Sequence, residues 1–292
     1  LRIPGSPTAS RARPRGARPG SGWLFFNLLA AGMALVVVAR NGLLFLAAWE
    51  LMSLCAFFLI VSDDEAPEVR DAGWTFLIAG QLGAVFLLAL FVGLGRGGGL
   101  DFAGFAPAAA AAGPLFLLAL VGFGAKAGFV PLHAWMPEAY PAAPDHAAAL
   151  IAGAMANAGV YGLARVCLIL GPGPLWRGWA LVGVGAASGV LGALFALSQR
   201  DLKRLLAYSS VENMGLVALG LGLWELGRSA GDPAVAALGL GGALLHLLDH
   251  SLFKSLLFLG AGAGERAAGT RDLERLGGLR KRLPVTGACV LA

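Results

Sequence analysis

From residue 22 onward the chain is a series of apolar runs, each about as long as one bilayer requires. They cover about 22–39, 42–61, 73–95, 114–138, 147–170, 178–198, 205–223 and 235–262, and a ninth opens near 285. A hydrocarbon core about 30 Å thick is crossed by about 20 residues of helix. Water is not at hand there for the backbone, so only helices and closed barrels can span it. The alternating pattern of barrel strands is missing. The runs therefore predict an all-α polytopic membrane protein with eight complete transmembrane helices and a truncated ninth. Composition agrees: 58% of residues are hydrophobic and 13% charged, against about 45–50% and about 25% in soluble domains. The 44 glycines fit helices that pack through small residues, as in Gly185-Ala186-Ala187-Ser188-Gly189.

The first 21 residues read as a disordered Arg/Pro/Gly-rich tail, and 22–292 as the transmembrane domain. Arg2, Arg11, Arg13, Arg15 and Arg18 account for the whole net charge of +5. The tail reads as a topology anchor, or as sequence foreign to the protein, rather than as a nucleic-acid-binding arm. It lacks the continuous apolar core of a signal peptide. The chain starts on Leu1 and stops at Ala292 inside an apolar run, so it reads as a fragment.

Loop charges orient it. Arg70, Arg200, Lys203, Arg204, Arg266, Arg271, Arg275, Arg280, Lys281 and Arg282 share the side of the N-terminus, whereas Arg40, Arg96, Arg177 and Arg228 fall opposite. Cytoplasmic loops carry the excess of Lys and Arg, which predicts a cytoplasmic N-terminus in a bacterial-type inner membrane. Arg200, Lys203 and Arg204 read as anchors of that topology. Cys55, Cys167 and Cys289 sit in apolar runs without metal spacing and read as buried small hydrophobes.

Ionisable residues interrupt the runs. Lys126 lies near the middle of the fourth, and Glu50 near the middle of the second. Charges at such depth are costly, face a bundle interior and mark ion or proton paths. A buried carboxylate and a buried lysine that approach each other can switch each other's protonation; the plain alternative is a fixed salt bridge. Pro131 and Pro137 follow Lys126, and because proline removes a helical hydrogen bond the helix should break just after Lys126. Broken helices beside a polar path recur in transporters.

His246, His250 and Lys254 stand at i, i+4 and i+8 on one helix face, with Asp249 off that line. Histidine accepts at one ring nitrogen and donates from the other, so the ladder fits a proton relay. Packing polar groups are the alternative, and zinc lacks further ligands. His133, Glu138, Asp145 and His146 read either as access groups or as solvated loop residues. Glu212 reads as a helix-dipole partner or as part of a path. Gly122-Phe123-Gly124-Ala125-Lys126-Ala127 imitates a dinucleotide fingerprint, but no strand and turn precede it.

Four blocks carry a resemblance: Trp49-Glu50-Leu51-Met52-Ser53, the stretch Ala125 to Ala139, the stretch Asp201 to Val211, and the stretch His250 to Gly260. They resemble the antiporter-like proton-conducting membrane subunits of respiratory complex I, membrane-bound hydrogenases and Mrp-type antiporters. Tyr140-Pro141-Ala142-Ala143-Pro144-Asp145-His146 and Ser210-Val211-Glu212-Asn213-Met214-Gly215 look most like the hydrogenase-4 and formate-hydrogenlyase branch.

The resemblance implies a fourteen-helix fold of two inverted repeats, of which this chain is the middle. It implies a proton path through Glu50, Lys126, Asn157, His246, His250 and Lys254. Asn157 stands where the family often has lysine or histidine, and asparagine does not hold a proton. The implied function is proton translocation coupled to electron transfer in partner redox and membrane subunits, with no redox cofactor in this chain. An Mrp-type cation/proton antiporter subunit and a non-conducting structural subunit are the alternatives; Asn157 favours the latter.

Overall fold

A computed structural model describes residues 19–63, 65–105 and 109–291. Among them there is no strand; two isolated bridges, Asn41 with Asp101 and Asp201 with Asp272, pin loops at the helix ends. Eight stretches are helical, long and apolar enough to cross a membrane, in line with the spans read from sequence. The expected tail at 1–21 falls mostly outside the described residues.

The helices are α1 (Pro19–Val38), α2 (Gly42–Ile60), α3 (Pro67–Leu94), α4 (Ala109–Ala127), α5 (Met136–Ala142), α6 (Asp145–Leu150), α7 (Ala156–Leu170), α8 (Leu175–Leu197), α9 (Leu202–Ala230), α10 (Pro233–Ala268), α11 (Leu279–Arg282) and α12 (Pro284–Leu291). Several run past the apolar limits because their ends are capped. Asp201 and Asp232 accept hydrogen bonds from the first amides of α9 and α10, which satisfies donors that have no intrahelical partner. At about 1.5 Å per residue, the 36 residues of α10 span about 54 Å, well beyond the hydrocarbon core.

The fourth run is broken as Pro131 predicts. After α4 the chain turns through 128–135 and resumes as α5. Gly128 sits at φ 78, where a side chain is strained, and a Cβ there would lie 2.4 Å from the Met136 sulfur. The backbone groups at the break find partners: the Gly128 and Phe129 amides donate to the Gly124 carbonyl, the Val130 amide donates to Ser188 Oγ on α8 at 3.0 Å, and the Ala125 carbonyl accepts from the Trp135 indole Nε1 at 2.8 Å. The fifth run also differs from expectation: a π turn at Ile151–Met155 separates α6 from α7.

A layer of aromatic rings, with Phe45, Trp49, Phe91 and Phe123 at its centre, joins α2, α3 and α4. The α8–α9 pair packs closely. A Cβ on Gly215 would lie 2.4 Å from the Gly189 amide and 2.7 Å from the Gly185 carbonyl, so the small-residue stretch is an interhelical contact. Cys55 and Cys167 are buried as expected, but Cys289 on α12 is exposed.

Candidate functional site

Lys126 ends α4 with its side chain turned inward, and the residue is 4% exposed. Its Nζ donates to Ser53 Oγ at 2.8 Å, and Ser53 donates in turn to the Trp49 carbonyl one turn back on α2. The Phe76 and Trp49 rings face the ammonium at 5.1 and 5.6 Å, a placement in which ring faces attract a cation.

Glu50, also on α2, points elsewhere: its Oε2 accepts from Gln81 Nε2 of α3 at 2.9 Å. The two charges therefore form no direct ion pair, and the fixed salt bridge offered as the plain alternative is not what the structure builds. Each charge is held by a neutral partner. Ser53 and Gln81 were not singled out from sequence. Ser53 stands beside Glu50 in the motif, but nothing in sequence marks Gln81.

Asn157 follows the π turn. Its Nδ2 donates to the Gly153 carbonyl at 2.9 Å and to Ser251 Oγ of α10 at 2.6 Å. Two residues on, Gly159 lies against α4, where a Cβ would come within 2.7 Å of the Ala127 amide. Asn157 thus stands between the lysine end of α4 and the ladder on α10. Its Oδ1 is buried without a hydrogen-bond partner among the described residues.

The ladder itself is present. His246 Nε2 meets Asn213 Oδ1 of α9 at 2.9 Å. His250 is fully buried, and neither ring nitrogen has a hydrogen-bond partner among the described residues. Lys254, equally buried, donates to the Leu206 carbonyl of α9 at 3.0 Å. Asp249 faces outward, exposed. For Glu212 the dipole reading fails. With α9 starting at Leu202, Glu212 stands about 15 Å along the helix, and dipole effects fade within the first turn.

The residues around the broken segment separate. His133 is half-buried between the rings of Phe195 and Tyr208, with Nδ1 unpartnered among the described residues. His146 is exposed and stacks on Trp23. Asp145 is not a solvated loop residue: it is partly buried at the start of α6 and pairs with Lys203 and Arg266. Glu138 lies on α5 rather than in a loop, is exposed, and pairs at the surface with Arg204. Nor is Lys203 a surface anchor. It is buried and also binds Glu265 at 3.1 Å.

A second buried cluster escaped the sequence reading. Arg177 and Arg228, taken there as loop cations, enclose Glu225. The Arg177–Glu225 contact is 3.3 Å with both side chains fully buried, and Arg228 reaches Glu225 at 2.6 Å. Arg177 also donates to the Gly171 carbonyl and Arg228 to the Cys167 carbonyl, tying α7, α8 and α9.

Residues 39–292 match the family described as NADH:quinone oxidoreductase/Mrp antiporter, TM. The chain belongs to this family. Hydrogenase-4 component B of Escherichia coli (strain K12) is 44% identical over 276 residues, which are 91% of this chain and 41% of the relative. Formate hydrogenlyase subunit 3 of the same strain is 39% identical over 92% of this chain and 44% of its own length. A chain in the structure of the membrane-bound sulfane sulfur reductase, an archaeal respiratory membrane complex, superposes with a TM-score of 0.78 at 25% identity, over 92% of this chain and 54% of that one. This member of the antiporter family is a membrane protein of several spans, and it covers about two fifths of the length of those curated relatives.

Proposed function

We propose that this chain is the proton-conducting part of a membrane subunit in a complex I-like or membrane-bound hydrogenase assembly. In that assembly it couples electron transfer in partner subunits to proton transport, and the redox centres belong to the partners. The observation that carries the proposal is the placement of Asn157 between two buried basic sites. On one side α7 touches α4 beside Lys126; on the other Asn157 donates to Ser251, next to His250. The path runs from Glu50 and Gln81 to Lys126 and Ser53, across Asn157, and along His250 and Lys254 with His246 at its flank.

Asn157 does not carry a proton, but its amide donates and its free Oδ1 accepts, so it can order the groups on either side. Buried ionisable residues in membrane helices mark such paths, and this chain buries Lys126, His250 and Lys254 in its spans. The N-terminal end lies on the cytoplasmic face, where the excess of loop arginines and lysines falls.

The test is the full-length protein in its intact complex, purified in mild detergent and reconstituted into vesicles. Lys126→Met is expected to abolish redox-driven proton uptake while the subunits still co-purify. Undiminished uptake in that variant would overturn the proposal. Partners identified by mass spectrometry discriminate further: iron–sulfur or nickel subunits support the redox-driven reading, and small membrane subunits alone would replace it with the Mrp-type antiporter.

A further inference from the structure

Lys203 is a buried cation that the path above does not use. It is 3% exposed in the first turn of α9, and its Nζ meets Asp145 Oδ1 at 2.6 Å and Glu265 Oε2 at 3.1 Å. Both carboxylates are partly open to the outside, with side-chain exposures of 18% and 26%. Arg266 holds the other oxygen of Asp145. Arg271 reaches Asp201 at 3.1 Å and Glu265 at 3.8 Å, and donates to the Pro141 carbonyl of α5. The sequence makes room for this: a Cβ on Gly262 of α10 would lie 2.0 Å from the Asp145 carboxyl carbon.

The cluster gathers the start of α6, the start of α9 and the end of α10, and it stands close to the ladder. Lys254 donates to the carbonyl of Leu206, which is three residues beyond Lys203 on the same buried face of α9. Three residues of helix rise about 4.5 Å. The partly exposed carboxylates, Lys203 and the Lys254 end of the ladder therefore follow one another inward from the membrane surface.

A fixed positive charge in a narrow passage excludes protons and cations. Without Lys203, Asp145 and Glu265 would face the ladder with less compensation, and negative groups at a mouth concentrate cations. We propose that the Asp145–Lys203–Glu265 cluster is a gate that closes the ladder to the adjacent membrane face and opens when Lys203 leaves its carboxylates. Lys203 acts here as a positioning residue for the path. The inference rests on the proton-path reading above.

The experiment measures passive proton leak into vesicles carrying the intact complex, under an imposed pH difference and without electron donor. Lys203→Met is expected to raise the leak severalfold. Adding Lys254→Met should return it to the wild-type level, because the leak must run along the ladder. A tight Lys203→Met complex, or a leak that survives the second substitution, would overturn the gate. Should Lys203→Met fail to assemble, Lys203→Gln carries the test: it removes the same positive charge while keeping a donor for the two carboxylates, the same leak is expected, and a wild-type leak sinks the proposal. The two readings fail separately. If Lys126→Met stops driven uptake and Lys203→Met stays tight, only the gate falls; if Lys126→Met still pumps, the path itself falls.

Discussion

Glu225→Gln isolates the buried cluster that fixes the α7–α8–α9 end of the bundle. Glu225 and Arg177 have no exposed side-chain surface, and Arg228 is 15% exposed. The substitution keeps the shape of the side chain but removes the carboxylate that faces the two guanidinium groups at 3.3 and 2.6 Å. Removing one partner of a buried ion pair strands the remaining charge and costs about 3–5 kcal/mol. At about 2–4 °C per kcal/mol for a chain of this size class, the midpoint for thermal loss of the monodisperse complex in detergent should fall by about 6–20 °C. Fluorescence-detected size exclusion after heating measures it.

Cost of this kind comes from the uncompensated charge and not from lost contact. Replacing the whole cluster, as Arg177→Met with Glu225→Leu and Arg228→Met, should therefore recover most of the loss, since apolar replacements of buried ion clusters are often neutral or stabilising. A Glu225→Gln shift below about 2 °C, which corresponds to less than about 1 kcal/mol, would refute the reasoning. So would a triple variant weaker than the single one.

Two further outcomes test the path. Ser53→Ala removes the hydrogen bond to the Lys126 ammonium in a pocket that leaves both residues under 5% exposed; hydrogen bonds to charged groups contribute about 1.5–3 kcal/mol, so driven proton uptake should slow by about tenfold or more, and a wild-type rate would remove Ser53 from the site. Asn157→Leu, close in volume, takes both amide donations away, from Gly153 and from Ser251; uptake should fall to background in an assembled complex, and normal pumping would show that the path does not cross between α7 and α10 there.

The spans were legible because bilayer thickness leaves a mark about 20 residues long, and the break after Lys126 because Pro131 cannot donate a hydrogen bond. Side-chain pairing was less legible. Glu50 and Lys126 stand in one family motif pattern, yet whether they touch depends on how α3 turns Gln81 toward Glu50, and no local signal in α3 fixes that rotation. Arg177 and Arg228 were assigned to loops because counting charges needs helix ends, and α8 starts three residues before the apolar run suggested. Lys203 was misplaced for another reason: its acidic partners lie on other helices, at residues 145 and 265, and no local pattern connects them. The π turn before Asn157 has no sequence mark at all, since Ile151–Met155 is as apolar as any helical turn.

The hydrogen bond from the Val130 amide to Ser188 has a consequence for how such a chain is made. Its two ends lie 58 residues apart, and a ribosome delivers them in order. When the bend beyond Lys126 enters the membrane, the hydroxyl that will satisfy its loose amide has not yet been translated, and an unpaired amide in hydrocarbon is costly. The bend is therefore settled late, after α8 has arrived, and the lysine beside it reaches its final setting only once the following hairpin is in place.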